Sequence, residues 1–307
     1  MQEEMKNLGK KYKGTLNKNN WHQKYEDLMH DALQDSSVKR FLYDHKSQIN
    51  HDILENGKTA IYEFVQAKSN MDNFAPGYEP KLSISNNAIH VIYTPGKDLQ
   101  AKRKLKQFDR KFMTIDMASD IRHASLNDFS KDIDGRGQAY KAAIDFLYSY
   151  FDQKKFTPGL YLSGDFGVGK TYLLSAIANE LVQKNIDVLL MHFPTFAVNI
   201  KSSIGDNTVM QQINQIKKVP VLMLDDIGAD SLSSWIRDEV LGVILQYRMQ
   251  EQLTTFFSSN FSMNELQKNL AVNQRGDREP VKADRLMERI KFLSREVVIS
   301  GKDRRQK

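Results

Sequence analysis

Gly159-Leu160-Tyr161-Leu162-Ser163-Gly164-Asp165-Phe166-Gly167-Val168-Gly169-Lys170-Thr171 decides the fold. Its second part, Gly164 to Thr171, fits the pattern G-x-x-x-x-G-K-[ST] of a phosphate-binding loop. Glycines at Gly164, Gly167 and Gly169 let the backbone curl tightly around Asp165, Phe166 and Val168. Several N–H groups then point at the β- and γ-phosphates of a nucleotide, and the following helix adds its positive N-terminal end. In this pattern Lys170 neutralises phosphate charge and the Thr171 hydroxyl ligates Mg²⁺. The pattern requires a strand before it and a helix after it. GLYLS reads as a buried strand and TYLLSAIANELV as a helix, which argues against an idle glycine turn.

Downstream, Val219-Pro220-Val221-Leu222-Met223-Leu224-Asp225-Asp226 is an apolar run ending in two acids. A strand buried on both faces would put Asp225 at the carboxyl edge of the sheet beside the loop, where it holds Mg²⁺ through water. Asp226 would then face the γ-phosphate and orient or deprotonate the attacking water. Taken alone, the two acids would read as a helix cap and a surface charge; paired with the upstream loop, they read as the second half of the site. Asp is a methylene shorter than Glu, so slow ATP hydrolysis is expected. A third apolar strand, Thr254 to Ser259, ends at Asn260, which either holds the lytic water against phosphate or caps the helix beginning near Ser262. In Lys282 to Ile290, Arg285 and Arg289 stand four apart on one helix face. They serve either as surface partners of Asp284 and Glu288 or as an arginine finger reaching a neighbour's γ-phosphate.

Working outward, Tyr140–Tyr150, GLYLSG, Tyr172–Gln183 and DVLLMHF alternate helix, strand, helix and strand. This predicts a three-layer parallel α/β sheet over residues 137–307. Residues 116–136 are polar and poorly periodic and read as a linker. The amino part, 1–115, has helical periodicity over Trp21–Leu33, Val38–Ile49 and Ile53–Val65, then a turn-rich stretch and a short hairpin from KLSIS and AIHVIYTP. Lys97 to Lys111 follows as a helix with seven Lys or Arg against two Asp, which is either a solvated face or a binding patch.

The 307 residues carry 44 Lys and Arg against 38 Asp and Glu, a net charge of +6 that favours an anionic polymer as an occasional partner. With no cysteine, disulfides, thiol catalysis and Cys-ligated zinc are excluded. No apolar run reaches the ~20 residues of a membrane span and the start MQEEMKNLGKKYKG is polar, so a cytoplasmic protein without a membrane partner is expected.

GLYLSGDFGVGKT, PVLMLDDIGADSLSSWIRDEV, TTFFSSNFS, QRGDREPVKADRLMERI and the closing GKDRRQ together resemble the DnaC/DnaI branch of AAA+ helicase loaders. The resemblance extends through GYEPKL into the helical segments before it. It implies an AAA+ P-loop domain lacking a helical lid, preceded by a small, mostly helical domain with a short hairpin. It also implies that the amino domain binds the hexameric replicative DNA helicase, that the motor half binds ATP, Mg²⁺ and single-stranded DNA, and that other primosome proteins are partners. By matching motif, Asn260 corresponds to sensor 1 and Arg289 to the arginine finger, with self-assembly through Arg289. The element after the second strand, Phe193 to Lys201, corresponds to the DNA-binding element. Phe196 and Lys201 there are either contacts that stack on or neutralise the strand, or parts of an ordinary amphipathic helix. Members of the branch can carry a cysteine zinc site just before the GYEPKL-like segment. SNMDNFAPGYEP has none, so no zinc is expected, and Phe74 and Tyr78 become the candidate anchors. Two alternatives stay open: a transposition helper ATPase of the same branch, and a non-hydrolysing adaptor clamped by nucleotide.

Overall fold

The computed structural model describes residues 18–69, 76–129, 136–152, 155–205, 208–229, 232–273 and 275–303. The chain forms two compact units that divide between Leu105 and Lys106.

The amino unit is built on α1 (Lys18–Gln34), α2 (Ser36–Asp44) and α3 (His51–Ser69), followed by the antiparallel hairpin β1 (Tyr78–Ser85) and β2 (Ala88–Pro95). Asp35 starts α2, its Oδ1 accepting from the N–H groups of Ser37 at 2.8 Å and Val38 at 3.3 Å, a standard way to satisfy a helix's first donors. Asn86 and Asn87 make the two-residue turn with φ of 50° and 57°, the left-handed pair that matches strand twist. Val38, Ile53, Ile61, Phe64 and Ile89 close the core of this unit. Gly57 on α3 is where the hairpin comes closest: a Cβ there would lie 2.7 Å from Ile89 Cδ1. Tyr78, one of the two expected anchors, opens β1, and its hydroxyl accepts from Arg103 Nη2 at 2.7 Å. Phe74 lies outside the described residues. A further helix, α4 (Lys97–Lys111), buries none of its side chains.

The second unit is a parallel six-stranded sheet. Its strands are β3 (Phe112–Ile115), β4 (Gly159–Ser163), β5 (Val188–His192), β6 (Val221–Asp225), β7 (Thr255–Ser259) and β8 (Ser294–Val298), in the order β3-β5-β6-β7-β4-β8. Alternate residues of β4, β5, β6 and β7 enter opposite cores. Tyr161, Leu189, Met191, Leu222, Leu224 and Phe257 face one, whereas Leu160, Leu162, Val188, Leu190, Val221, Met223 and Phe256 face the other. Burial on both faces is why the strands read as continuous apolar runs. On the first side lie α7 (Phe193–Ser202), α8 (Val209–Lys218), a π-helical turn (Ile236–Leu241), α9 (Gly242–Gln250), α10 (Met263–Leu270) and α11 (Pro280–Leu293). On the second lie α5 (Arg136–Asp152) and α6 (Lys170–Gln183). No helix among the described residues is long and apolar enough to cross a membrane.

Residues 116–129 depart from the expectation of a linker, and the two units divide between Leu105 and Lys106 rather than at 115; residues 130–135 of the expected linker lie outside the described residues. Phe112 to Ile115 pair with Val188 to Met191 as the edge strand of the large sheet. Ala124, Leu126 and Phe129 are buried in its second core. Asn179 on α6 donates from Nδ2 to the carbonyls of Arg122 at 3.1 Å and Ala124 at 2.5 Å. An irregular segment held by isolated apolar anchors and backbone hydrogen bonds has no period, so its pattern resembles that of a loop.

The edge of the sheet opposite its carboxyl ends is pinned by Arg248, which is fully buried. It donates to Thr255 Oγ1 at 2.8 Å and to the carbonyls of Lys217, Val219, Pro220 and Thr254 at 3.1, 2.7, 3.3 and 2.6 Å. Burial pushes its pKa down from the ordinary guanidinium value. Arg248→Met keeps the volume and strands those acceptors. Each orphaned group costs about 1–3 kcal/mol, and partial relaxation brings the expected total to roughly 3–5 kcal/mol, or a melting temperature lower by roughly 6–20 °C. Calorimetry of the two proteins checks this; equal melting would refute the pinning role.

Candidate functional site

The carboxyl ends of β4, β5, β6 and β7 share one edge of the sheet, because all four strands are parallel. β7 lies between β4 and β6. The residue after β7, Asn260, therefore sits between the loop that follows β4 and the acids that end β6. A cleft of about 350 Å³ opens there, lined by Phe166, Gly167, Gly169, Lys170, Thr171, His192, Asp225, Asp226, Ser258 and Asn260.

The loop needs its glycines for two reasons. Gly169 opens α6 at φ 101°, a left-handed conformation that side chains disfavour. At Gly164 a Cβ would strike the carbonyl of Ile299, where the chain leaving β8 passes close to the loop. Lys170 is 7% exposed, and its Nζ donates to the carbonyls of Gly164 and Asp165, both at 2.8 Å, and to Asn260 Oδ1 at 2.7 Å. Phe166, by contrast, is 60% exposed at the rim.

Asp225 ends β6 and is 3% exposed. Thr171 Oγ1 donates to it, lying 3.0 and 2.9 Å from its two oxygens, and the Ser258 hydroxyl also donates to it. Burial pushes the Asp225 carboxyl above the usual range, and the hydroxyls of Ser258 and Thr171 act the other way. Asp226 turns out of the strand at φ 62°. Its N–H donates to Ser258 Oγ at 2.9 Å, and its Oδ1 accepts from Asn260 Nδ2 at 3.1 Å. Both acids are thus oriented by Ser258 on β7.

Of the two readings of Asn260, capping is excluded. Ser262 caps α10, exchanging hydrogen bonds with Glu265, while Asn260 spans Lys170 and Asp226. Thr171 and Asp225 supply hard oxygen ligands suited to Mg²⁺, which takes one or two protein oxygens and completes its shell with phosphate and water. Among the described residues no group of three or more His, Asp or Glu forms a metal cage of protein ligands alone.

Arg289 is elsewhere. Its Nη1 donates to the Gly242 carbonyl at 3.0 Å, and it lines a separate concavity with Lys217 and Tyr247. Phe196, expected as a possible stacking platform, is corrected by its position: it is 3% exposed, packed in the first core and in ring contact with Phe193. Its place on the inward face of α7 keeps its ring from bases. Lys201, on the same helix, is exposed.

Three residues of the site were missed by sequence reasoning. Ser258 lay inside a strand motif with no mark of its own. His192 ends β5 opposite Asp225, with Nε2 3.9 Å from Asp226 Oδ2 and Nδ1 2.7 Å from Thr195 Oγ1. Arg136 is 3% exposed, stacks 4.2 Å from the Phe129 ring and donates to the Val168 carbonyl, bracing the loop from behind. Only the order of the strands could have located His192, and only tertiary packing Arg136.

The amino half, residues 5–93, matches the family described as "Primosomal protein DnaI N-terminus", and residues 126–295 match the "Bacterial DnaA ATPAse domain". The "Replicative helicase loader DnaI" of Bacillus subtilis (strain 168) is 36% identical over 313 aligned positions, covering 98% of this chain and 99% of that protein. Among solved structures, "Crystal Structure of the DnaI" is 44% identical, with a TM-score of 0.56 over 65% of this chain and 99% of that one. "Crystal structure of the DnaC helicase loader", 22% identical with a TM-score of 0.51, covers 60% of this chain and 100% of that one, and shares the fold.

Proposed function

The chain belongs to the DnaI family of helicase loaders, with an AAA+ motor half, and from that premise we propose that it is an ATP-dependent loader of the replicative DNA helicase. In this reading the amino unit grips the hexameric helicase, and the motor half uses ATP to time delivery onto single-stranded DNA with other primosome proteins. The observation that carries it is similarity running through both halves of the chain, over 98% of its length. A transposition helper of the same branch would need only the motor half, and the match of residues 5–93 favours the loader.

Lys170 and the loop N–H groups hold the polyphosphate, while Thr171 and Asp225 hold Mg²⁺. When bound, Mg²⁺ would supply neutralisation of phosphate charge. Asp226, aimed by Ser258 and Asn260, orients water and takes its proton. Asn260 reports whether Lys170 is engaged with the loop or with phosphate, since it touches both Lys170 and Asp226. Arg289 acts on the nucleotide of a neighbouring copy, and Lys201 is the remaining candidate for a DNA phosphate.

Mixing the chain with its cognate replicative helicase and measuring the mass of the complex with ATP, ADP and no nucleotide tests the reading. A complex is expected in all three states, with residues 1–105 sufficient to retain helicase without nucleotide. Retention by residues 106–307 alone would refute the assignment of the two halves.

A further inference from the structure

Of the three catalytic candidates, Asp226, Asn260 and Arg289, only Arg289 lies outside the nucleotide cleft, yet it is held with care. Its Nη1 donates to the carbonyl of Gly242, the first residue of α9. Immediately before it, Ile236–Leu241 is π-helical, and the Gly242 N–H reaches back to the Arg237 carbonyl five residues away. Single π turns inside helices concentrate at functional sites. Gly242 also leaves its side-chain position empty: a Cβ would lie 3.4 Å from Arg289 Nη1 and 3.3 Å from the Arg237 carbonyl. The widened turn and the missing side chain both make room for one guanidinium.

That guanidinium has no ion pair among the described residues, with Glu288 favouring its charge only from a distance. Asp238 and Glu279, the acids nearby, are paired with Arg237 and Lys282 at 2.6–3.0 Å. Among the described residues, no carboxylate lies within salt-bridge distance of Arg289. Burial and the neighbouring Arg285 push its pKa down, and Glu288 acts the other way. The concavity beside it, about 360 Å³, is open to solvent and shared with Lys217, Val243, Tyr247 and Asp238, the last already paired with Arg237 and Lys282. One N–H is used on Gly242, and the rest of the planar fork suits a phosphate better than a lone carbonyl. The phosphate-binding cleft described above lies at the carboxyl edge of the sheet and Arg289 does not line it, so the nucleotide phosphate that Arg289 meets is one carried by a second copy.

We propose that Gly242 and the π-helical turn Ile236–Leu241 form the seat that positions Arg289 for the γ-phosphate bound by a second copy of this chain. Gly242 is then a positioning residue for hydrolysis in trans, an inference that rests on the ATPase reading above.

The test is the ATPase rate per chain against protein concentration, for the full-length chain, Arg289→Ala, Gly242→Ala, Gly242→Leu and the double variant Gly242→Leu/Arg289→Ala, with melting temperature and ATP affinity measured alongside. Wild type should show a rate per chain that rises as copies meet. Arg289→Ala and Gly242→Leu should both lose that rise, and the double variant should be no worse than Arg289→Ala alone. Gly242→Ala should lose roughly threefold to tenfold of it, because misplacement well under ~1 Å already costs rate. Its melting temperature should be unchanged or higher, since Ala forms helix better than Gly. Less activity without less stability is a result that a merely structural glycine cannot produce. If Arg289→Ala loses the rise while both Gly242 variants keep it, the seat is overturned and the finger stands. If Arg289→Ala keeps the rise, or wild type shows none, the trans reading falls and the seat with it. Should Gly242→Leu fail to fold, Gly242→Ala decides.

Discussion

Lys170→Ala is expected to weaken ATP binding by roughly 30- to 5000-fold. Its ammonium sits almost buried on the Gly164 and Asp165 carbonyls and Asn260 Oδ1. These contacts place the charge at the mouth of the loop, where the phosphates would replace Asn260 as its partner. Truncating one member of a buried, hydrogen-bonded charge pair costs about 2–5 kcal/mol, which sets the range given above. The substitution also strands two loop carbonyls and Asn260, so the loss falls on binding and on the connection to Asp226 together. Isothermal titration with ATP and with ADP checks it. ATP affinity equal to wild type would remove the nucleotide site from this edge of the sheet.

Asp226→Asn should leave ATP bound and reduce hydrolysis by about 10²- to 10⁴-fold, the usual worth of a positioned general base. The substitution is clean for a structural reason. Asp226 occupies φ 62°, and Asn is among the few residues that tolerate the left-handed region. The N–H bond to Ser258 is a backbone contact and survives. The Asn260 amide meets Asp226 Oδ1, which the Asn side-chain oxygen can replace. What disappears is the ability to take a proton. Single-turnover hydrolysis alongside ATP titration separates the two effects. If hydrolysis is unchanged, Asp226 is only a structural acid; if loading of helicase survives complete loss of hydrolysis, the nucleotide serves as a clamp, as in the adaptor reading.

These predictions rest on residues of unequal visibility. The loop, Asp225 and Asp226 announce themselves because phosphate chemistry demands certain residue types at certain spacings along one continuous stretch. Asn260 was ambiguous in sequence, since a polar residue after a strand serves either a cap or a site; Ser262 takes the cap and leaves Asn260 in contact with Lys170 and Asp226. Phe196 shows the reverse: an aromatic beside a lysine suits DNA, but the inward face of α7 claims the ring for the core. The segment 116–129 lacked a period because it is held by scattered anchors, Ala124, Leu126 and Phe129, rather than by a repeating face.

By itself the sequence determined the parallel α/β architecture, the position of the phosphate loop and the helical amino unit with its hairpin, because each is written in local periodicity, glycine placement and turn chemistry. Tertiary structure alone decided the strand order that sets β7 between β4 and β6. That order joins Lys170, Asn260 and Asp226 into one chain of contacts, gives both acids to Ser258, brings His192 to the cleft and places Arg289 outside it. The physical reason is that strand order is fixed by which faces pack together across the whole sheet. That is a property of residues far apart in the chain, and no window of sequence contains it.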